Sequence, residues 1–180
     1  DKASALIARL MVDMVEHEYV ILNCWALGSW PTGVNFFASA RFQGKIVNLG
    51  TNIKETLEVI KILGPKYRYL LVGYPPFVYH AVCSAAAEGI DFKQFHFDVI
   101  TGGEGFVEEW RDTLMEKLGN NRVIFSVYGS TDKGLGEGLE TNLAYTIRSL
   151  LYLASEFIQD ELAARHIMKL RFGDAAIQFT

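Results

Sequence analysis

The 180-residue sequence has only two cysteines, Cys24 and Cys83, far apart and without CxxC or Cys/His ligand spacing. That leaves no disulfide framework and no cysteine-based zinc site, and both residues read as buried free thiols in a reducing compartment. Charge is scarce as well: 21% of residues are charged, the net charge is −4, and lysine and arginine cluster nowhere. A chain with no basic field offers nothing to a nucleic-acid backbone, so no nucleic-acid partner is expected. No apolar run reaches the roughly 20 residues that span a bilayer, and no signal peptide is expected before the first helical stretch. The expected setting is cytoplasmic, with no membrane partner. The four histidines, His17, His80, His96 and His166, have no ligand-spaced partners. GxSxG, GxGxxG and the P-loop Gly-Lys-Ser/Thr are all missing. An initiator methionine is missing too, and "DKASALIARLMVDMVEHE" begins almost inside a helical pattern, so the chain is expected to be a piece of a longer one.

Half of the residues are hydrophobic, which is enough for one substantial core and one α/β domain over 1–180. Leu6, Ile7, Leu10, Met11 and Met14 form a helical stripe within Ala3 to Glu16. From Tyr19 the pattern alternates. Short apolar runs, Tyr19 to Cys24, "KIVNLG", "RYLLVG", "FDVIT" and "RVIFSVYG", read as strands. Thr32 to Phe42, "TNIKETLEVIKILG", the stretch from "YPP" to Ala87 and "FVEEWRDTLMEKLG" read as helices, with Pro75 and Pro76 tolerated because they open theirs. Further helical patterns span Leu143 to Phe157 and Asp160 to Leu170. Such alternation specifies βαβ units and a mostly parallel β-sheet with helices on both faces.

Parallel strands bring their carboxyl ends to one edge, and open α/β sheets bind ligands beyond it. Two loops at that edge stand out, and both strand tips are expected to be free of hairpins. "TGGEG" sets two bare glycines where backbone can approach a flat ring, although a βα turn needing positive φ would read the same way. "YGSTDKG" supplies an aromatic face at Tyr128, hydroxyls at Ser130 and Thr131, and a hard oxygen ligand at Asp132. A surface turn with side chains bonded to their own backbone is its alternative.

Together, "DVITGGEGFVEEWRDTLMEKLG" and "VIFSVYGSTDKG" resemble the adenylate-forming superfamily of acyl-CoA synthetases, adenylation domains and luciferases. Within it the phenylacetate–CoA ligase branch is nearest, and the stretch from "GSWPTG" to "GYPPFV" resembles that branch in its order of elements. The resemblance covers about Tyr19 to Gly134 and implies ATP-dependent activation of an aryl or other organic acid as an acyl-adenylate, followed by transfer to coenzyme A. Gly102, Gly103 and Glu104 would then line the adenine site, Tyr128 would pack on the base, and Gly129, Ser130 and Thr131 would follow the phosphates. Thr131 and Asp132 would carry the catalysis, and Asp132 would hold Mg²⁺ in place of the family's glutamate, one methylene shorter. Gly105 stands where the branch often has proline. The acid would lie beside Trp30, Phe36 and Tyr74.

The resemblance also implies that the upstream phosphate loop and the C-terminal lysine domain belong to other parts of the parent, so the fragment alone is expected to be inactive. "RFGDAA" lacks the threonine of the family's ribose motif, and Asp174 reads as a turn. Two other readings stay open: a catalytically degenerate nucleotide-binding or scaffolding homologue, and a Rossmann-like enzyme such as a methyltransferase. The last needs a glycine loop after the first strand and an acidic end to the second, and "NCWALGSW" and "KIVNLG" supply neither. The oligomeric state is not legible, a homodimer being one option.

Overall fold

The computed structural model describes residues 19–42, 44–119, 123–130 and 134–139, the last segment and 128–130 by their backbone alone. All of them fall in one compact unit, Asp1–Leu139. The helical patterns expected at Ala3 to Glu16, Leu143 to Phe157 and Asp160 to Leu170 lie outside the described residues, as do His17, His166 and Asp174.

The elements run β1 (Val20–Asn23), α1 (Pro31–Ala40), β2 (Lys45–Asn48), α2 (Ile53–Leu63), β3 (Arg68–Gly73), α3 (Pro75–Ala87), a 3-10 turn (Phe92–Gln94), β4 (His96–Gly102), α4 (Glu108–Leu118), β5 (Ile124–Ser130) and β6 (Gly134–Leu139). Local chemistry sets most of these bounds. Asn52 caps α2 by accepting from the Glu55 amide at 3.1 Å while its Nδ2 donates to Glu55 Oε2 at 3.2 Å, a reciprocal cap. Gly64 closes that helix at φ 70°. Pro75 opens α3, where its missing N–H costs nothing. Glu108 and Glu109 favour the positive end of α4, and left-handed Gly119 stops it.

The sheet order is β2-β1-β3-β4-β5-β6. The first five strands are parallel, as the alternation predicts. β6 pairs antiparallel with β5. The tip of β5, expected to be free of hairpins, is therefore followed by an antiparallel partner strand. Gly134, Gly136 and Gly138 occupy alternate positions of β6, and glycine's weak strand propensity hides that strand from a pattern reading.

Side chains alternate between two cores. Leu57 and Ile60 of α2, Phe77, Val78 and Ala81 of α3, and Leu114 and Leu118 of α4 pack with Leu22, Leu71 and Val99 on one face. On the other face Phe36 and Ala40 of α1 join Ile21, Leu70, Val72, Ile100 and Phe125, and the backbone of β6 approaches α1. Each fully buried leucine or isoleucine contributes about 1.5–3 kcal/mol.

The amino ends of the strands are an aromatic base. Tyr69 stacks on Phe97 at 4.8 Å and 15°, and Phe92 meets Phe97 edge-on at 4.8 Å. Beside it the buried Asp98 carboxylate accepts from the Tyr19 hydroxyl at 2.5 Å and from the Val123 amide at 2.8 Å. Burial, with Asp98 adding to it, pushes the Tyr19 hydroxyl pKa well above its usual value. His96, with Nε2 3.6 Å from Asp98 and 3.4 Å from the Arg68 guanidinium, belongs to this same structural cluster.

Candidate functional site

β1 lies between β2 and β3 in the sheet. Beyond its carboxyl end the chain turns over one face into α1, and beyond that of β3 it turns over the other into α3. Connections that diverge this way open a crevice beyond the carboxyl ends of β1 and β3, the usual ligand position in such sheets. The β1 side of the crevice is the stretch 24–30, and the β3 side is Tyr74, half-buried at the start of α3 and packed against both cores. β4 ends next to them. A Cβ built on Gly103 would lie 4.0 Å from Tyr74 Cβ and near nothing else, and one built on Gly105 would meet nothing within 4 Å. Gly103 and Gly105, both exposed, thus leave the backbone on either side of Glu104 open to close approach.

The two glycines of "TGGEG" do different work. Gly102 is buried, and a Cβ there would fall 2.3 Å from the Val127 carbonyl oxygen, so close approach of β5 is what requires it. Gly103 is exposed and holds φ 85°, a left-handed conformation that favours glycine. Glu104 is exposed, four residues short of α4.

Gly102 pairs with Val127 in register, so the next residues along the rim are Gly103 and Tyr128. The backbone of Gly129 and Ser130 continues beyond them, and Ser130 stands three positions past Val127, about 10 Å further along the strand. The paired glycines and the Tyr-Gly-Ser run therefore share one rim on neighbouring strands. Thr131 and Asp132 lie outside the described residues, and of Tyr128 and Ser130 the backbone alone is described. Among the described residues no group of His, Cys, Asp or Glu could hold a metal ion, and no helix is long and apolar enough to cross a membrane.

The three aromatics expected near an acid separate. Phe36 is fully buried in the α1 core. Tyr74 borders the crevice. Trp30 is 66% exposed, and Leu27, Val34 and Phe37 are also exposed on or before α1. Pattern reading missed Asn23, a fully buried amide ending the otherwise apolar β1. Its polarity inside a buried strand was the available signal.

Cys24 follows Asn23 beneath the crevice, its Sγ 3.6 Å from Thr56 Oγ1. Burial pushes its thiol up to about 12. Cys83, expected to be buried, is half-exposed on α3. A thiol kept neutral and covered does not react. Native protein should therefore release at most one fast equivalent from a charged aromatic disulfide reagent, from Cys83, and the second only on denaturation. Two fast equivalents would contradict the packing around Cys24.

No protein-family profile matches the chain, and no curated protein matches it in sequence. Solved structures do. One is 2-hydroxyisobutyryl-CoA ligase in an open conformation with 2-HIB-AMP and CoA, at a TM-score of 0.65 and 13% identity over 79% of this chain and 33% of that one. The same ligase in its postadenylation state, with R3-HIB-AMP, matches at 0.56 and 12% identity over 72% of this chain and 29% of that one. The chain thus has the fold of part of a CoA ligase. It spans about a third of the length of these neighbours.

Proposed function

We propose that the chain is an α/β portion of a longer enzyme that activates an organic acid with ATP and passes the acyl group to coenzyme A. The observation that carries this reading is the rim: exposed, left-handed Gly103 one register step beyond the Gly102–Val127 pair, alongside Tyr128 on the next strand. Similarity of fold to a ligase holding an acyl-AMP and CoA supports it.

In this reading a carboxylate oxygen attacks the α-phosphorus of ATP, the bond to the β-phosphate oxygen breaks, and its electron pair leaves with pyrophosphate. The backbone of Gly103, Glu104 and Gly105 receives the adenine edge, and Tyr128 covers the ring. The hydroxyls of Ser130 and Thr131 would donate to phosphate oxygens, where charge accumulates as the bond breaks. Asp132 would hold Mg²⁺, which neutralises phosphate charge when bound. The acid enters beside Tyr74 and the stretch that carries Trp30. The exposed apolar side chains of Leu27 and Trp30 there suit an aryl or alkyl acid, the class that the phenylacetate-like branch would take. Phe36 supports α1 from the core.

Labelled pyrophosphate exchange into ATP by the full-length parent, over a panel of aryl and alkyl acids, tests this. Acid-dependent exchange is the expected result. No exchange with any acid together with no ATP binding would overturn it. Binding of ATP–Mg²⁺ without exchange would instead point to a degenerate, non-catalytic homologue, a reading that the shortened Asp132 and the Gly105 exchange favour.

A further inference from the structure

We infer that Asn23 is a positioning residue for the acid side of the site: it locks the root of the stretch that carries Trp30 onto the carboxyl edge of the sheet. The inference deepens the ligase reading and rests on it for the choice of substrate. Asn23 closes β1 with no exposed surface. Its Nδ2 donates to the Gly33 carbonyl in the first turn of α1 at 3.0 Å and to Asn48 Oδ1 at the end of β2 at 2.8 Å. Its Oδ1 accepts from the Trp25 amide at 3.4 Å. Its main-chain carbonyl accepts from the Leu49 and Gly50 amides at 2.9 and 3.1 Å. One residue thereby fixes the end of β1, the start of the stretch leaving it, the helix after that stretch and the loop after β2.

The seating is tight. Gly33 donates to the Ala26 carbonyl at 3.2 Å, and a Cβ on Gly33 would fall 2.5 Å from that same oxygen and 2.8 Å from Leu27 Cδ2. Beyond this root the tip is open, with Leu27 41% and Trp30 66% exposed. An immobile base with an exposed aromatic at its end is what a substrate wall needs, because a loosened wall loses the bound geometry rather than the chemistry.

No other side chain reproduces the pattern. Aspartate has the shape but no donor, and would set a carboxylate against the Gly33 carbonyl. Leucine keeps the volume and satisfies nothing.

The test compares Asn23→Asp and Asn48→Ala with wild type in the full-length parent, by pyrophosphate exchange and by hydrogen exchange of the peptide over 25–34. The expected result for Asn23→Asp is a tenfold or greater rise in KM for the acid, KM for ATP within twofold, and faster amide exchange in 25–34 but not in 96–102. Asn48→Ala, which removes one acceptor and leaves Asn23 in place, should shift the same quantities in the same direction by less, and it decides the matter alone if Asn23→Asp does not fold. Equal shifts in both KM values, or unchanged amide exchange in 25–34 in both variants, would overturn the positioning role. If wild type shows no exchange with any acid, the ligase reading fails, and hydrogen exchange still decides whether Asn23 locks the stretch.

Discussion

Arg111→Ala should destabilise the chain by about 3–5 kcal/mol, the loss typical when one partner leaves a buried ion pair. Arg111 is 1% exposed although it carries a full charge. Its Nε lies 3.0 Å from Glu108 Oε2, its Nη1 donates to the Ile124 carbonyl at 2.5 Å, and its guanidinium sits 4.9 Å from the Phe106 ring. Truncation strips a counter-charge from a carboxylate that is itself 9% exposed, and removes the donor through which α4 holds the first residue of β5. Urea unfolding measures the cost. The double variant Arg111→Met with Glu108→Leu should recover most of it, because replacing both charges by apolar groups leaves no unpaired ion. A loss below about 1 kcal/mol for Arg111→Ala would put the pair among solvent-screened surface bridges instead.

The second large effect separates the two glycines of the rim. Gly102→Ala would place a Cβ 2.3 Å from the Val127 carbonyl oxygen and 2.9 Å from Val127 Cγ2. Backbone cannot yield there without parting β4 from β5, so the loss should reach or exceed the roughly 1–3 kcal/mol of an overpacked core. Gly103→Ala meets no such obstacle, its nearest neighbour being Tyr74 Cβ at 4.0 Å. It pays only for holding φ 85° with a side chain, about 1–2 kcal/mol. Thermal unfolding of the two variants side by side gives the order. If Gly103→Ala were the more destabilising, the division of labour between the two would be wrong. In the ligase reading Gly103→Ala should fold and bind ATP more weakly.

These residues also mark what could be read from the sequence. The parallel order, the proline start of α3, the Asn52 cap and the glycine stops follow from local rules, because turn and cap chemistry is written in consecutive residues. The neighbouring tips of β4 and β5 follow from topology alone. Arg111 was half-legible: it falls in phase with Leu114 and Leu118 on the core face of α4, yet a charge on a helix reads by default as solvated. Phe36 and Phe37 differ by one helical step, and the polar pattern of α1 does not say which turns inward; the structure buries the first and leaves the second 36% exposed. The role of Gly102 depends on a carbonyl 25 residues downstream in sequence, and no local pattern encodes that distance. The same holds for Asn23, whose partners at Gly33 and Asn48 meet it only after the crossover through α1 has closed.

The packed rings of Tyr69, Phe92 and Phe97 sit at the opposite end of the strands from the rim. Such a pedestal lets natural variation act on one end of the molecule only: in the ligase reading, insertions or exchanges in the stretches after β1, β3 and β4 would retune which acid is admitted while the foundation is left untouched. Divergence among homologues should therefore concentrate above the sheet and fade toward its foot.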